Sequence, residues 1–202
     1  MHITRGATLT ELLVATTIML IVSLQASTYS SQLAQAVMKF EHRIKLEDEL
    51  RALQFVLTEN IKSTDFAAYD HVQPVAFSSV TLPPKPTLTI SQFGSEATNS
   101  CVLFAYDKNE SGVIEASASE QFGYRLRSKA IEYRVKGKAC EVTGWHDITD
   151  TRSTLITRLR FTITQASSWG TLLEVTIDAQ DATYTDIAQT KTFTIGLVNV
   201  QA

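Results

Sequence analysis

Between Ala7 and Gln73 the chain contains neither glycine nor proline. Those residues end or kink helices most strongly, and the apolar spacing through the stretch is helical. Leu33, Val37, Phe40 and Ile44 recur at helical intervals, and Leu46, Leu50, Leu53, Leu57 and Ile61 continue the rhythm on a slightly shifted stripe. One helix is expected over residues 8–63, some ~80 Å long at the standard rise. Its beginning differs in character from its end. From Ala7 to Leu24 almost every residue is apolar or small, interrupted by Glu11 and a few hydroxyl residues. That run reaches roughly 27 Å as a helix, against about 30 Å of hydrocarbon in a bilayer. The first half of the helix is therefore expected in lipid and the amphipathic second half under a globular head.

A carboxylate inside an apolar run is costly, up to about 2.5–3.5 kcal/mol in mid-membrane. An ordinary secretory signal gains nothing from one. In that alternative, Arg5 is the basic region, Leu12 to Leu24 the apolar core and Leu24-Gln25-Ala26 the cleavage site, so that a secreted periplasmic binding protein would start near Ser27. The helical pattern running on past Ala26 opposes it. After the leader, the next basic residue is Lys39, so within one chain Glu11 is expected to be unpaired or protonated until another molecule brings a cation.

The segment Arg5-Gly6-Ala7-Thr8-Leu9-Thr10-Glu11-Leu12-Leu13-Val14-Ala15 resembles the prepilin cleavage motif, a basic leader ending in glycine ahead of an apolar helix that carries an early glutamate. The resemblance implies cutting between Gly6 and Ala7 by a membrane prepilin peptidase, methylation of the new amine, and Glu11 as the assembly residue that meets the amine of a neighbouring subunit. Prepilins commonly carry Phe, an aliphatic residue and Pro where this chain has Ala7, Thr10 and Thr28. The implied fold is α+β and type IV pilin-like, a long N-terminal helix packed against an antiparallel β-sheet head. The expected organisation is a leader at 1–6, a transmembrane and filament-core half at 7–26, an amphipathic half at 27–64 and a β-rich head at 65–202.

Beyond residue 63 the pattern changes to short β-rich runs separated by Pro, Gly, Asn and Ser. Strands are expected at 75–80, 87–93, 102–106, 122–127, 131–136, 155–164, 172–180 and 192–200. Pro83-Pro84-Lys85-Pro86 is expected as a turn or linker, because proline cannot donate to a sheet ladder. Within this region the order Cys101 to Asn109, Gly112 and Phe122-Gly123-Tyr124-Arg125-Leu126-Arg127 resembles the W-type minor pilins of type IV pili and, less closely, the J-type minor pseudopilins of type II secretion. This second resemblance implies a place near the filament tip and a part in initiating assembly. The implied partners are other minor and major pilins through the N-terminal helix, the prepilin peptidase, the inner-membrane assembly platform and, before assembly, the membrane itself. The implied location is the inner membrane with a periplasmic head, then the pilus at the cell surface.

Four groups in the head invite a chemical reading. Cys101 and Cys140 are the only cysteines, too few for a zinc site; in an oxidising compartment they read as one disulfide, the alternative being two separate buried thiols. Asp107, Asn109, Ser111 and Gly112 match the first half of a calcium loop, but Ala118 stands where a bidentate glutamate belongs, with Glu115 or Glu120 as substitutes only in a looser geometry. A solvated turn is the favoured reading there, and no cofactor is expected. Arg125, Arg127, Arg134 and Lys136, with Lys129 and Lys138, gather positive charge in a hairpin whose alternation points Arg125 and Arg127 outward, as do Arg134 and Lys136 on the next strand. Such a face can meet DNA phosphates or an acidic pilin, though outward basic residues need no special explanation. His2, His42, His71 and His146 show no nucleophile or metal-ligand spacing and no phosphate-binding glycine loop occurs, so a structural subunit is expected and not an enzyme. The formal charge of −3 argues against a surface built throughout for nucleic acid. A DNA-uptake or adhesion pilin stays as the nearer alternative.

Overall fold

The computed structural model describes residues 8–68, 88–115 and 119–200. The leader with Gly6 and Ala7, the expected strand at 75–80, the proline run, His71 and Ala118 lie outside the described residues. The architecture is α+β: a single 53-residue helix α1 (Leu9–Ile61) precedes β1 (Thr89–Ser91), β2 (Cys101–Ala105), β3 (Gln121–Arg127), β4 (Ala130–Tyr133), β5 (His146–Asp147), β6 (Thr154–Ser167), β7 (Gly170–Asp181) and β8 (Ala188–Leu197). Two compact units, Met1–His42 and Arg43–Ala202, divide the chain, and the division falls inside α1.

In the first unit every described apolar side chain of the helix is exposed, from Leu9 through Leu24 and on through Leu33, Val37 and Phe40. In the second unit burial begins at Leu46 and continues at Leu50, Leu53, Leu57 and Ile61. This corrects the expectation of one slightly shifted stripe. Ile44 and Leu46 are two residues apart, about 200° around a helix, so the two stripes occupy nearly opposite faces. Ile44 stays exposed with Phe55, three turns further along the same face.

The five strands β1 to β5 form one antiparallel sheet in sequence order, and β6, β7 and β8 form a second. Strand β7 alternates as a half-buried strand should: Leu173, Val175, Ile177 and Ala179 face the core. They join Ile156, Leu159 and Phe161 of β6, Phe193 and Ile195 of β8, the helix stripe from Leu46 to Ile61, and Val102, Phe104, Leu126 and Ile131 of the first sheet in one apolar cluster. The sheets meet along β6, whose Ile156 and Phe161 N–H groups donate to Lys129 O and Asn99 O at 2.9 Å each. The Thr154 hydroxyl donates to Glu49 Oε2 at 2.5 Å and the Asn199 amide to Thr64 O at 3.4 Å, fastening the second sheet to both ends of the packed helix.

Several strand bounds move. The strand expected at 131–136 stops at Tyr133, because Lys136 and Gly137 adopt left-handed backbone, φ 54° and 64°, which no ladder accommodates. The last strand runs Ala188–Leu197 rather than 192–200, and β6 extends to Ser167 through register shifts at Ile156/Arg158 and Ile163/Gln165. The two-residue β5 lacks any run of β-formers and has no signature in the sequence.

Candidate functional site

Helix α1 opens with Thr8 and Glu11 bonded to each other. The Thr8 N–H and hydroxyl donate to Glu11 Oε2 at 2.8 and 2.9 Å, and the Glu11 N–H reaches Thr8 Oγ1 at 3.4 Å. This is a reciprocal capping box, satisfying main-chain donors that the first turn of a helix otherwise leaves open. It adds to the expectation of a Glu11 without a cation of its own chain: the carboxylate holds neutral partners, both on Thr8. The Thr8-Leu9-Thr10-Glu11 spacing carries that signal openly. Both Thr8 donors fall on Oε2, and a carboxylate offers about four acceptor sites.

Past the cap, the helix has an apolar window long enough to cross a membrane, with none of it buried within the chain. Three of its hydroxyls are turned inward: Thr16, Thr17 and Thr28 donate to Leu13 O, Val14 O and Gln25 O at 3.0, 2.8 and 2.9 Å. Back-bonding of this kind keeps those donors from facing hydrocarbon.

In the head, Cys101 and Cys140 form a disulfide, both residues essentially unexposed, with Trp145 beside them in a small second apolar cluster. Next to Cys101 in register lies Arg125, and next to Arg125 lies Glu132. Arg125 overturns the expectation of an outward basic face. It is 0% exposed, donates from Nε to Glu132 Oε2 at 2.6 Å and from Nη1 to Cys140 O and Val142 O at 2.5 and 2.8 Å, and lies between the rings of Phe93 and Trp145, 4.6 and 4.4 Å from their centroids. The alternation was correct, since Arg125 does leave the main core. The loop from Arg134 to Trp145 folds across that face and covers it. Arg127, more open, lies 3.5 Å from Glu132 Oε1 and 4.9 Å from the Phe93 ring. Arg134 is also consumed locally, donating to Gly137 O, Lys138 O, Phe122 O and Gln121 Oε1, while Lys136 sits in the turn. The four residues therefore do not form a common contact face. Trp145 and Phe93, which complete the cluster, carry no local sequence signal.

Asp107 is nearly buried and organises its loop. Oδ1 accepts from Ser111 N at 3.0 Å, and Oδ2 from Gly112 N at 2.8 Å and Ala68 N at 3.1 Å; Asn109 Oδ1 accepts from Ser111 N at 3.0 Å. Burial pushes the Asp107 carboxyl up, but the main-chain donors of Gly112, Ala68, Ser111 and Glu110 together outweigh it and hold the carboxyl below its ordinary range. Gly112, at φ 86°, supplies the left-handed turn, and a side chain there would strike Ala68 O. The Ser111 hydroxyl donates to Val113 O, and no group of three or more acidic, His or Cys side chains suited to a metal occurs among the described residues. Tyr124, on the core side of β3, is pushed up to about 12 by burial and by Tyr106, so it stays neutral. His146 rests edge-on against Tyr133 with Nδ1 3.1 Å from the phenol oxygen.

The sequence model of prepilin peptidase-dependent protein B matches residues 39–197, most of the chain. The chain belongs to the prepilin peptidase-dependent protein B family. A curated relative of that description from Escherichia coli strain K12 is 22% identical over 178 residues, covering 87% of this chain and 86% of the relative. No solved structure matches the chain. The prepilin-like reading thus holds at the level of the family, and the matched region of this prepilin peptidase-dependent protein B homologue takes in the last part of α1, the disulfide and both sheets.

Proposed function

We propose that the chain is a minor pilin, a structural subunit that prepilin peptidase releases by cutting between Gly6 and Ala7 and that enters a type IV pilus through α1. The observation that carries this reading is the apolar first half of α1, whose side chains are exposed in the isolated chain and find cover only in lipid or among other helices. Family membership supports it, through the dependence on prepilin peptidase that the family's description names. Before assembly the helix anchors the subunit in the inner membrane with its head in the periplasm. During assembly the amine of a neighbouring subunit meets Glu11 while Thr8 keeps Oε2, so the cap and the ion pair coexist. Apolar contacts between helices in lipid slide easily, and a charge pair within hydrocarbon selects one stagger. The subunit's place is at or near the tip, where with other minor pilins it starts the filament on the inner-membrane platform.

The test is a deletion strain complemented at native expression. The mature protein should begin at Ala7, and Gly6→Arg should remain uncut. Glu11→Ala should be cut and inserted, yet fail to initiate filaments or to co-purify with partner pilins, with Glu11→Asp partly active. A mature start near Ser27 overturns the pilin reading, and full piliation by Glu11→Ala overturns the role of Glu11. Restored secretion without pili would assign the subunit to a type II pseudopilus instead.

A further inference from the structure

Strands β2, β3 and β4 carry Cys101, Arg125 and Glu132 side by side on the face of the first sheet that turns away from the main core. One loop residue, Cys140, is held there twice. Its sulfur bonds to Cys101 on β2, and its carbonyl accepts from Arg125 Nη1 on β3. A second loop carbonyl, Val142 O, accepts from the same nitrogen. The guanidinium cannot easily move: Phe93 and Trp145 lie against its two sides and Glu132 holds Nε. Trp145 in turn rests on bare main chain, because a Cβ at Gly123 would stand 3.2 Å from its Cη2. A planar cation so fixed presents its donors in one geometry, and both loop carbonyls fit it.

We infer that Arg125 is a positioning residue for closure of the Cys101–Cys140 disulfide, seating the Cys140 main chain opposite Cys101 before the bond forms. The ion pair with Glu132 is made between neighbouring strands and needs no loop; it leaves Nη1 directed at the site where Cys140 must arrive. Closure itself is thiol–disulfide exchange. One thiolate attacks a sulfur of a disulfide oxidant, giving a mixed disulfide and releasing one thiol. The second cysteine then attacks the bonded protein sulfur and releases the other. The two protein thiols lose two electrons and two protons, and the oxidant leaves as two thiols. Arg125 takes no part in electron transfer; it raises the fraction of time the second cysteine spends within reach of the first. Sealing of the loop then buries the cation, so the order of events is pairing, seating and oxidation.

The test uses the full chain in detergent micelles, reduced in urea, returned to native buffer and reoxidised with glutathione disulfide, with free thiols trapped over time by a maleimide mass tag. Arg125→Met and Glu132→Gln should slow closure at least about tenfold relative to wild type and to Arg160→Met, an exposed control on β6, since hydrogen bonds to charged groups are worth more than a factor of ten. Arg125→Lys, which keeps the charge as a point donor, should recover part of the rate. In urea, where no seat exists, all variants should close at one rate, which excludes a change in intrinsic thiol reactivity; rescue by lysine in native buffer is the readout of seating. Equal native rates for wild type and Arg125→Met overturn the inference. Because Arg125→Met can also loosen the head, a second chain carries Cys101→Ala and Cys140→Ala with Arg125 intact. With the loop seated by the guanidinium alone, trypsin should cut after Lys136 and Lys138 far more slowly than in the urea-unfolded chain. Cutting at the unfolded rate, in a chain whose near-ultraviolet circular dichroism shows a folded head, would overturn the inference.

Discussion

Gly123→Ala and Gly196→Ala insert the same methyl group into the two sheets and should have opposite outcomes. Both glycines lie within antiparallel strands, and neither adopts left-handed backbone. At Gly196 a Cβ meets nothing within 4 Å; at Gly123 it would stand 2.7 Å from Val102 O, 3.0 Å from Leu103 Cδ2 and 3.2 Å from Trp145 Cη2. The first of these is main chain of the paired strand and cannot rotate away. Overpacking of this kind typically costs about 1–3 kcal/mol, whereas Ala for Gly at an unhindered site stabilises by about 0.4–1 kcal/mol through the unfolded chain. For a chain of this length each kcal/mol moves the melting temperature by about 2–4 °C. Gly123→Ala should therefore melt roughly 2–12 °C below wild type and Gly196→Ala at or slightly above it. The assay is thermal unfolding in detergent micelles, followed by near-ultraviolet circular dichroism. A Trp169→Phe background removes the other, almost fully exposed tryptophan and leaves Trp145 as the reporter. Its emission should shift red in Gly123→Ala and stay unchanged in Gly196→Ala. If Gly123→Ala melts with wild type and keeps its emission, or if Gly196→Ala is the more damaged, the close seating of Trp145 on β3 is wrong.

Reduction of the disulfide should lower the stability of the head by on the order of 4 kcal/mol for a loop of about forty residues, roughly 8–16 °C in melting temperature; native-state thiol titration should find no free cysteine before reduction. Asp107 supplies a pH dependence with a definite sign. Its folded carboxyl is held below the unfolded value, so its contribution is present above the unfolded value and disappears as pH falls through the folded one. Wild type should thus outlast Asp107→Asn at about pH 7, with the difference shrinking below the ordinary aspartate range of about 3.9; a difference that grows in acid would refute the assignment. Calcium should leave the melting temperature unchanged, and a shift abolished by Asp107→Ala would make the loop a metal site.

The long helix was legible because its determinants are local. Freedom from Gly and Pro, spacing of apolar residues and the Thr8 to Glu11 cap all act within a few residues of one another, and a helix satisfies its own main chain. The alternation of β7 was legible for the same reason: a half-buried strand repeats every two residues wherever it is placed. Which helical stripe the head covers was not. Leu33 to Ile44 and Leu46 to Ile61 are both wholly apolar stripes with the same rhythm, and burial under the sheets distinguishes the second. The same holds most sharply at Arg125. Sequence alternation placed it correctly on the side of β3 facing away from the core, and on an uncovered sheet that side is solvent. Whether it is covered depends on a loop that begins nine residues later, is held by a cysteine from β2 and brings Trp145 onto Gly123. Burial of a charge is set by what arrives from elsewhere in the chain, so the pairing of Arg125 with Glu132 and two loop carbonyls was decided by tertiary structure alone.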